Sequence, residues 1–163
     1  MDDGFDDLYA HLRSLARRIH GERGHGQQTL DPTALLHEAW AKVSAGGGAY
    51  ASRGHFVAVA ARAMRQVLID RARARSSQKR GVDPARTTLA GLADDGLDAE
   101  GFLAMDQALE DLREVDPVAA DVVLLRVYGG ASVPEVAEQL GVSASTVDRT
   151  WRFARAFLTD RLG

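Results

Sequence analysis

Residues 133–152 read VPEVAEQLGVSASTVDRTWR, and this stretch decides how the C-terminal part of the chain folds. Ala137 is a small residue in one predicted helix, Gly141 follows at a predicted turn, and Val147 is a branched apolar residue in a second predicted helix. This spacing suits two helices that pack closely, because the small side chain permits a close approach and glycine tolerates a positive φ at the turn. The pattern therefore predicts a helix-turn-helix.

The second helix of this unit is expected to expose a polar and cationic face. Small polar residues and arginines on the N-terminal half of a helix suit contacts with base edges and phosphates in the major groove. An ordinary helical hairpin with a solvated basic face is the alternative. The candidate duplex-binding residues are Ser143, Ser145, Thr146, Arg149, Arg152 and Arg155.

Apolar residues at three- and four-residue steps predict helices along most of the remaining chain. Helices are expected over 5–19, 31–44 and 55–75, and further helices begin near 98, 117, 133 and 144. The segment between these groups is rich in Gly, Pro and Asp and has no apolar period. We therefore predict an all-α fold with two small helical domains, 1–75 and 98–163, joined by a flexible linker at 76–97.

Composition excludes several classes of protein. The chain has 163 residues, of which 45% are hydrophobic and 26% charged, as in ordinary globular proteins. No uncharged stretch reaches the roughly 18 apolar residues that a membrane helix needs, and the acidic N-terminus is unlike a signal peptide. Because there is no Cys, disulfides and thiolate metal sites are excluded. We expect a cytoplasmic protein that does not bind a membrane.

Charge is unevenly distributed, although the formal net charge is only -3. Residues 53–80 contain eight basic residues and a single acid, and residues 83–116 contain ten acids and two basic residues. A basic block followed by an acidic block suggests that one part of the chain binds a polyanion.

The predicted helix over 55–75 is a second candidate for nucleic-acid binding. Its arginines are placed to contact phosphates, and aromatic rings beside positive charge can stack on unpaired bases. A solvated basic face is the alternative, and Phe56 is better explained as the start of a buried stripe. The candidate residues of this segment are Tyr50, Arg53, His55, Arg62, Arg65 and Arg73.

An enzymatic function finds little support in the sequence. The five histidines lack metal-ligand spacing, and His37-Glu38 is not followed by the second histidine that a zincin helix requires. No phosphate-binding Gly loop or nucleophile elbow is present. We expect no catalytic residue, no metal site and no cofactor.

Three stretches of the chain resemble one protein family. Residues 31–40 read DPTALLHEAW, residues 55–65 read HFVAVAARAMR, and residues 140–151 read LGVSASTVDRTW. Together with the order of the helices, they resemble a bacterial extracytoplasmic-function (ECF) sigma factor, and the likeness covers nearly everything outside the linker. One departure is Asp148, at a position where the most similar subgroup usually has a basic residue.

The resemblance implies a promoter-specificity subunit of RNA polymerase. The helix from Thr33 to Ser44 would dock on the clamp helices of the largest polymerase subunit, with the flap of the second subunit as a further contact. The loop and helix from about Ala49 to Arg75 would recognise the -10 element and help melt it, and the helix from Ala144 would read the -35 element. The docking residues implied are Thr33, His37, Glu38 and Lys42.

Two questions stay open at this point. A helix-turn-helix regulator that acts without core polymerase is the alternative function, although such a protein has no need of the docking helix. The resemblance also leaves open whether an anti-sigma protein binds the chain.

The resemblance further implies that the linker would thread through the core enzyme towards the RNA exit path.

The predicted linker generates a first test. Limited proteolysis of the full chain should cut within 76–97 first and leave two helical fragments, because a Gly-, Pro- and Asp-rich segment without an apolar period offers exposed backbone. Resistance of this region equal to that of the helices would contradict the division into two domains.

Overall fold

The computed structural model describes residues 10, 13, 32–47, 50–78 and 99–163, and these residues form helices and short turns without any strand. The predicted all-α class is therefore confirmed. The helices are α1 (Pro32–Ala45), α2 (Arg53–Gln78), α3 (Ala99–Val115), α4 (Pro117–Val123), a π-helical turn (Leu124–Tyr128), α5 (Val133–Leu140) and α6 (Ala144–Leu162).

Helix boundaries agree closely with the sequence pattern where they are described. The long helix α2 begins earlier than predicted because the Ser52 hydroxyl accepts a hydrogen bond from the His55 N–H at 3.1 Å, as an N-cap does. It ends at Gln78, so residues 76–78 of the predicted linker are helical. The rest of that linker lies outside the described residues. So does the predicted helix over 5–19, apart from Ala10 and Arg13, which are helical and exposed.

Helix α2 is buried on more than one side, which the sequence pattern did not predict. The helical period of the sequence places Ile69 on or beside the surface left uncovered by the buried stripe, but it is only 5% exposed. Ala61 and Met64, which were not assigned to the core, are completely buried. The expectation for Ile69 was wrong because helices pack around α2 from several directions, whereas periodicity in one segment predicts a single buried stripe.

One hydrophobic cluster includes side chains from both sides of the predicted linker. Val43 of α1 and Met64 of α2 belong to the same cluster as Leu109 of α3, Tyr128 of the π-helical turn and Leu158 of α6. Each of these five side chains is at most 2% exposed. The described parts of the two predicted domains therefore share a core in this structure, and their division into separate domains remains a prediction.

The segment from α4 to the π-helical turn is fixed by close backbone packing. Asp116 caps α4 by accepting a hydrogen bond from the Ala119 N–H at 3.0 Å, and the Gly129 N–H donates to the Leu124 carbonyl at 3.1 Å. A Cβ atom at Gly129 would lie 2.6 Å from the Leu125 carbonyl oxygen, so only glycine fits there. Val118 is one of the apolar residues that the sequence pattern assigns to this helix, but it is 46% exposed, because the core-facing side of α4 begins at the next residue.

Candidate nucleic-acid interface

The turn between α5 and α6 follows from three local features of the sequence. Ser132 and Glu135 form a reciprocal capping box that starts α5. Gly141 ends that helix in the left-handed region, with φ 66° and ψ 34°, which glycine adopts without a Cβ clash. Ser143 then starts α6, because its hydroxyl accepts a hydrogen bond from the Thr146 N–H at 3.2 Å. The two helices are therefore joined by a short and well-defined turn.

Buried side chains fix the rotation of α6 about its own axis. Val147, Ala154 and Leu158 are completely buried, and all three lie on one side of the helix. Trp151 is half-buried on the same side, and the Arg126 guanidinium carbon lies 4.6 Å from the centroid of its ring, within the range of a cation–π interaction. The opposite side of α6 is consequently held towards solvent.

That solvent-facing side carries most of the residues that the sequence predicted for duplex binding. Ser145, Arg149, Arg152 and Arg155 are exposed there. Ser143 and Thr146 have local roles, because the Ser143 hydroxyl caps the helix and lies 2.9 Å from the Thr146 hydroxyl. The structure therefore brings Ser145, Arg149 and Arg152 together on one polar face, with Arg155 exposed about 120° from Arg149 around the helix, and their contact with DNA remains a prediction.

Part of the second predicted set forms a stripe along α2. His55, Arg62 and Arg73 are all exposed, and at about 100° per residue they lie within roughly 20° of one another around the helix. Arg53 lies about 180° from Arg62 and lines a cavity beside Glu138 of α5. The six predicted residues are thus not on one surface.

Tyr50 has a structural role at the start of α2. Its hydroxyl donates a hydrogen bond to the Val43 carbonyl at 2.9 Å. Its ring meets the ring of Phe56 edge to face, with centroids 4.6 Å apart, and Phe56 itself is only 7% exposed. This confirms that Phe56 belongs to the core. The half-buried Tyr50 ties the loop to α1 and α2, so any contact with a base would involve the part of its ring that stays exposed.

Arg65 is held by the acidic helix α3. Its guanidinium donates to the Asp106 carboxylate, with Nε at 2.8 Å, and also to the Glu110 carboxylate. The side chains of Arg65 and Asp106 are only 18% and 15% exposed. In this structure Arg65 therefore joins the basic block of the sequence to the acidic block, although its assignment as a DNA contact remains a prediction.

Burial and charge act in opposite directions at this ion pair. Desolvation by itself lowers the pKa of Arg65, but the hydrogen bonds that its guanidinium donates to Glu110 and Asp106, together with the negative charge of these two groups, outweigh it, so the pKa lies above its ordinary value. Burial raises the pKa of the neighbouring Tyr128 phenol. Arg65 therefore stays charged beside a phenol that stays neutral.

The predicted docking residues lie on the outer side of α1. His37, Glu38 and Lys42 are exposed as expected; the side chain of Thr33 lies outside the described part of the structure. Glu38 accepts hydrogen bonds from Arg71 of α2, and the Lys42 ammonium lies 3.9 Å from the Asp70 carboxylate. The face is thus a charged edge shared by α1 and α2.

Sequence reasoning missed an exposed aromatic side chain beside the polar face of α6. Phe153 is 44% exposed, and its ring centroid lies 6.2 Å from that of Phe157. It follows Arg149 by four residues and therefore lies one helical turn further along the same side. The sequence spacing could have identified it, because Phe153 lies four residues after the exposed Arg149 and six residues after the buried Val147, which places it away from the core.

Neither a metal site nor a membrane-spanning helix is present among the described residues. No group of three or more His, Asp or Glu side chains among them is placed to hold a metal ion. None of the described helices is sufficiently long and apolar to cross a membrane.

An all-helical fold with two exposed cationic helix faces defines a candidate nucleic-acid-binding protein. The family model described as ECF sigma factor matches residues 2–163, so the chain belongs to the ECF sigma factor family. It therefore acts as a DNA-binding sigma factor in transcription initiation by RNA polymerase. Proteins of this family are regulatory factors, not enzymes. No curated protein and no solved structure gives a significant match to the chain.

The ion pair of Arg65 generates a test of stability. Arg65→Met should lower the free energy of unfolding by about 1–3 kcal/mol, because it leaves the largely buried Asp106 carboxylate without its cationic partner. Urea unfolding of the full chain measures the change. The matched control is Arg62→Met, an exposed position on the same helix, which should alter stability by no more than about 0.5 kcal/mol. Equal effects of the two substitutions would show that the ion pair contributes nothing to stability.

Proposed function

We propose that this sigma factor binds core RNA polymerase and directs it to promoters by reading both a -10 and a -35 element. The observation that carries the proposal is the rotation of α6, which buries Val147 and leaves Ser145, Arg149 and Arg152 on one exposed face. A capped helix after a tight turn, with polar and cationic residues near its N-terminus, suits insertion into a major groove. Family membership supports the same role.

In this proposal α5 and α6 act as the helix-turn-helix for duplex -35 DNA. The N-terminal residues of α6 meet the base edges, and arginines further along the helix contact the backbone. Arg149 is the candidate for base recognition, because arginine can bind guanine through two hydrogen bonds. Arg155 lies six residues, or about 9 Å, further along the helix, where contact with a phosphate is expected.

The -10 element is assigned to the exposed stripe of α2. His55, Arg62 and Arg73 present positive or ionisable groups along about 27 Å of helix, long enough to follow several nucleotides of one strand. The exposed part of the Tyr50 ring and the adjoining loop would meet an unpaired base, since aromatic rings can stack on the face of any base. Capturing such a base offsets the few kcal/mol that unpairing costs, and promoter melting follows from this binding energy.

Arg65 takes part in -10 binding only after a rearrangement, because it is paired with Asp106 and Glu110 of α3. Arg53 is exposed but lines the cavity beside α5, on the opposite side of α2 from Arg62. Separation of α2 from the C-terminal helices would release Arg65 and uncover the side of α2 that carries Arg53. In this view the predicted linker at 76–97 allows the two groups of helices to reach promoter elements that lie apart on the DNA, as it threads towards the RNA exit path.

Core polymerase is proposed to dock on the outer side of α1. His37, Glu38 and Lys42 form its charged face, with Thr33 at its N-terminal end. The clamp helices of the largest subunit are the proposed partner of this face, and the flap of the second subunit is the proposed partner of the C-terminal helices. An anti-sigma protein is a further candidate partner.

Run-off transcription with purified core polymerase on genomic fragments tests the proposal directly. Discrete transcripts that require the chain would support it. Duplex binding by the chain without any core-dependent transcript would instead favour a helix-turn-helix regulator that acts without core polymerase.

Substitution of Arg149 tests the proposed -35 contact. Arg149→Ala should cost about 1–3 kcal/mol of duplex binding and relax the preference at one base position, because a bidentate base contact is lost. Arg155→Ala should weaken binding to all duplex sequences alike, as expected for a phosphate contact. It should also lower by about one the slope of the logarithm of the binding constant against the logarithm of the salt concentration. A selection of bound promoter variants, made with wild-type and variant holoenzymes, measures both effects. Unchanged affinity and preference in Arg149→Ala would make it a solvated surface residue.

Charge reversal on α1 tests the docking face. The double variant Glu38→Arg with Lys42→Glu should weaken binding to core polymerase by about tenfold or more. Each reversed charge would then face a like charge of the polymerase across the interface. Binding of labelled chain to core polymerase measures the loss, and circular dichroism verifies the fold.

The matched control for this double variant is Asp70→Asn with Arg71→Gln, which removes the two partners of Glu38 and Lys42 within the chain and leaves α1 unchanged. It should bind core polymerase normally. If control and reversal weaken binding equally, the effect arises from the ion pairs inside the chain and the docking role is refuted.

A further inference from the structure

Asp148 is the only acidic residue in the first half of α6. It is exposed, and in the sequence it stands between Val147, which is in the core, and Arg149, which is on the polar face. The adjacent cations would be expected to neutralise it, since Arg152 is four residues away, at the spacing of a helical ion pair. The structure shows a different arrangement.

The carboxylate of Asp148 is left without a partner among the described residues. Arg152 Nε donates instead to the Asp148 backbone carbonyl, at 3.4 Å, so the guanidinium is directed to the helix backbone. The two carboxylate oxygens therefore remain available as acceptors, on the fifth residue of a helix whose N-terminal residues are proposed to meet base edges. At a contact with phosphate, such a group would be repelled.

We propose that Asp148 is a specificity-determining residue that selects cytosine at one position of the -35 duplex. This inference rests on the proposed -35 role of α6. A carboxylate only accepts hydrogen bonds, and in the major groove only the N4 amino group of cytosine and the N6 amino group of adenine donate them. Guanine and thymine present acceptors to the groove, which repel a carboxylate.

Cytosine is preferred over adenine for a geometric reason. Adenine displays the N7 acceptor beside its N6 amino group. When one carboxylate oxygen accepts a hydrogen bond from N6, the other oxygen faces N7, and these two acceptors repel each other. Cytosine displays its amino group with no neighbouring acceptor in the major groove. Asp148 thus binds cytosine favourably, adenine less well, and disfavours the other two bases.

Asparagine at this position would have the complementary preference. Its amide combines one acceptor with a donor, and this pair matches adenine N6 and N7 in a bidentate contact. Asp148→Asn should therefore move the preferred base from cytosine to adenine at the same position. A change of base identity is a signature that simple removal of a negative charge does not produce.

The test is a binding selection with holoenzyme on promoters that have a randomised -35 region and a fixed -10 region. Wild type should enrich cytosine at one position by about 5- to 140-fold over guanine or thymine. Asp148→Ala should lose that preference and keep the others, and Asp148→Asn should enrich adenine. The matched control is Asp160→Ala, which removes the same charge from an exposed position of the same helix, about 18 Å further along; it should behave as wild type.

Three outcomes overturn the inference. A uniform gain of affinity for all sequences in Asp148→Ala would show that the carboxylate merely repels phosphate. Equal changes in the Asp148 and Asp160 variants would show a long-range charge effect. If wild type shows no base preference at any -35 position, and Arg149→Ala changes neither affinity nor preference, the proposed role of α6 itself is refuted. This outcome differs from failure of the Asp148 inference alone, in which only one position lacks its expected preference.

Discussion

Burial of the long helix α2 on several sides is the constraint on which the rest of the structure depends. Met64 and Leu68 are at most 1% exposed, and the alanines Ala60 and Ala61 at most 2%. The small alanine side chains permit neighbouring helices to approach closely, and the larger side chains fill the space between them. Burying a side chain such as Leu or Met contributes about 1.5–3 kcal/mol. Because α1, α3 and the π-helical turn pack directly against α2, the orientation of each depends on α2.

This packing divides the positive charge of α2 between two roles. Arg65 lies on the side covered by α3 and pairs with Asp106 and Glu110, whereas Arg62 and Arg73 lie on the exposed side. Part of the positive charge of the basic block is thus neutralised by the acidic block within the same chain. Only the cations that stay unpaired with the acidic block form a surface for a polyanion. The proposed promoter contacts follow from this division, since a paired and largely buried arginine is available to DNA only after its partners move.

The rotation of α6 is the second consequence of the same core. Leu158 and Ala154 belong to the cluster that contains α2, while Val147 packs in a smaller cluster with Val136 of α5 and Leu125 of the π-helical turn. Trp151 contacts both clusters. These anchors determine which residues of α6 face solvent, so the proposed readers Arg149 and Asp148 are positioned by apolar side chains that would never meet DNA.

The sequence alone determined the helical class, the starts of α5 and α6, and the face of α6 that is exposed. It did so because those features are local: a capping box at Ser132, a glycine in the left-handed region at position 141, and apolar residues with helical spacing. The likeness of three stretches to ECF sigma factors also came from sequence, and the family match confirms it. Only the tertiary structure decided that Ile69 is buried, that Arg65 belongs to an ion pair, and that Tyr50 is tied to α1. Each of these depends on contacts between residues far apart in the chain, and the period of a single helix carries no information about which other helix covers a second face.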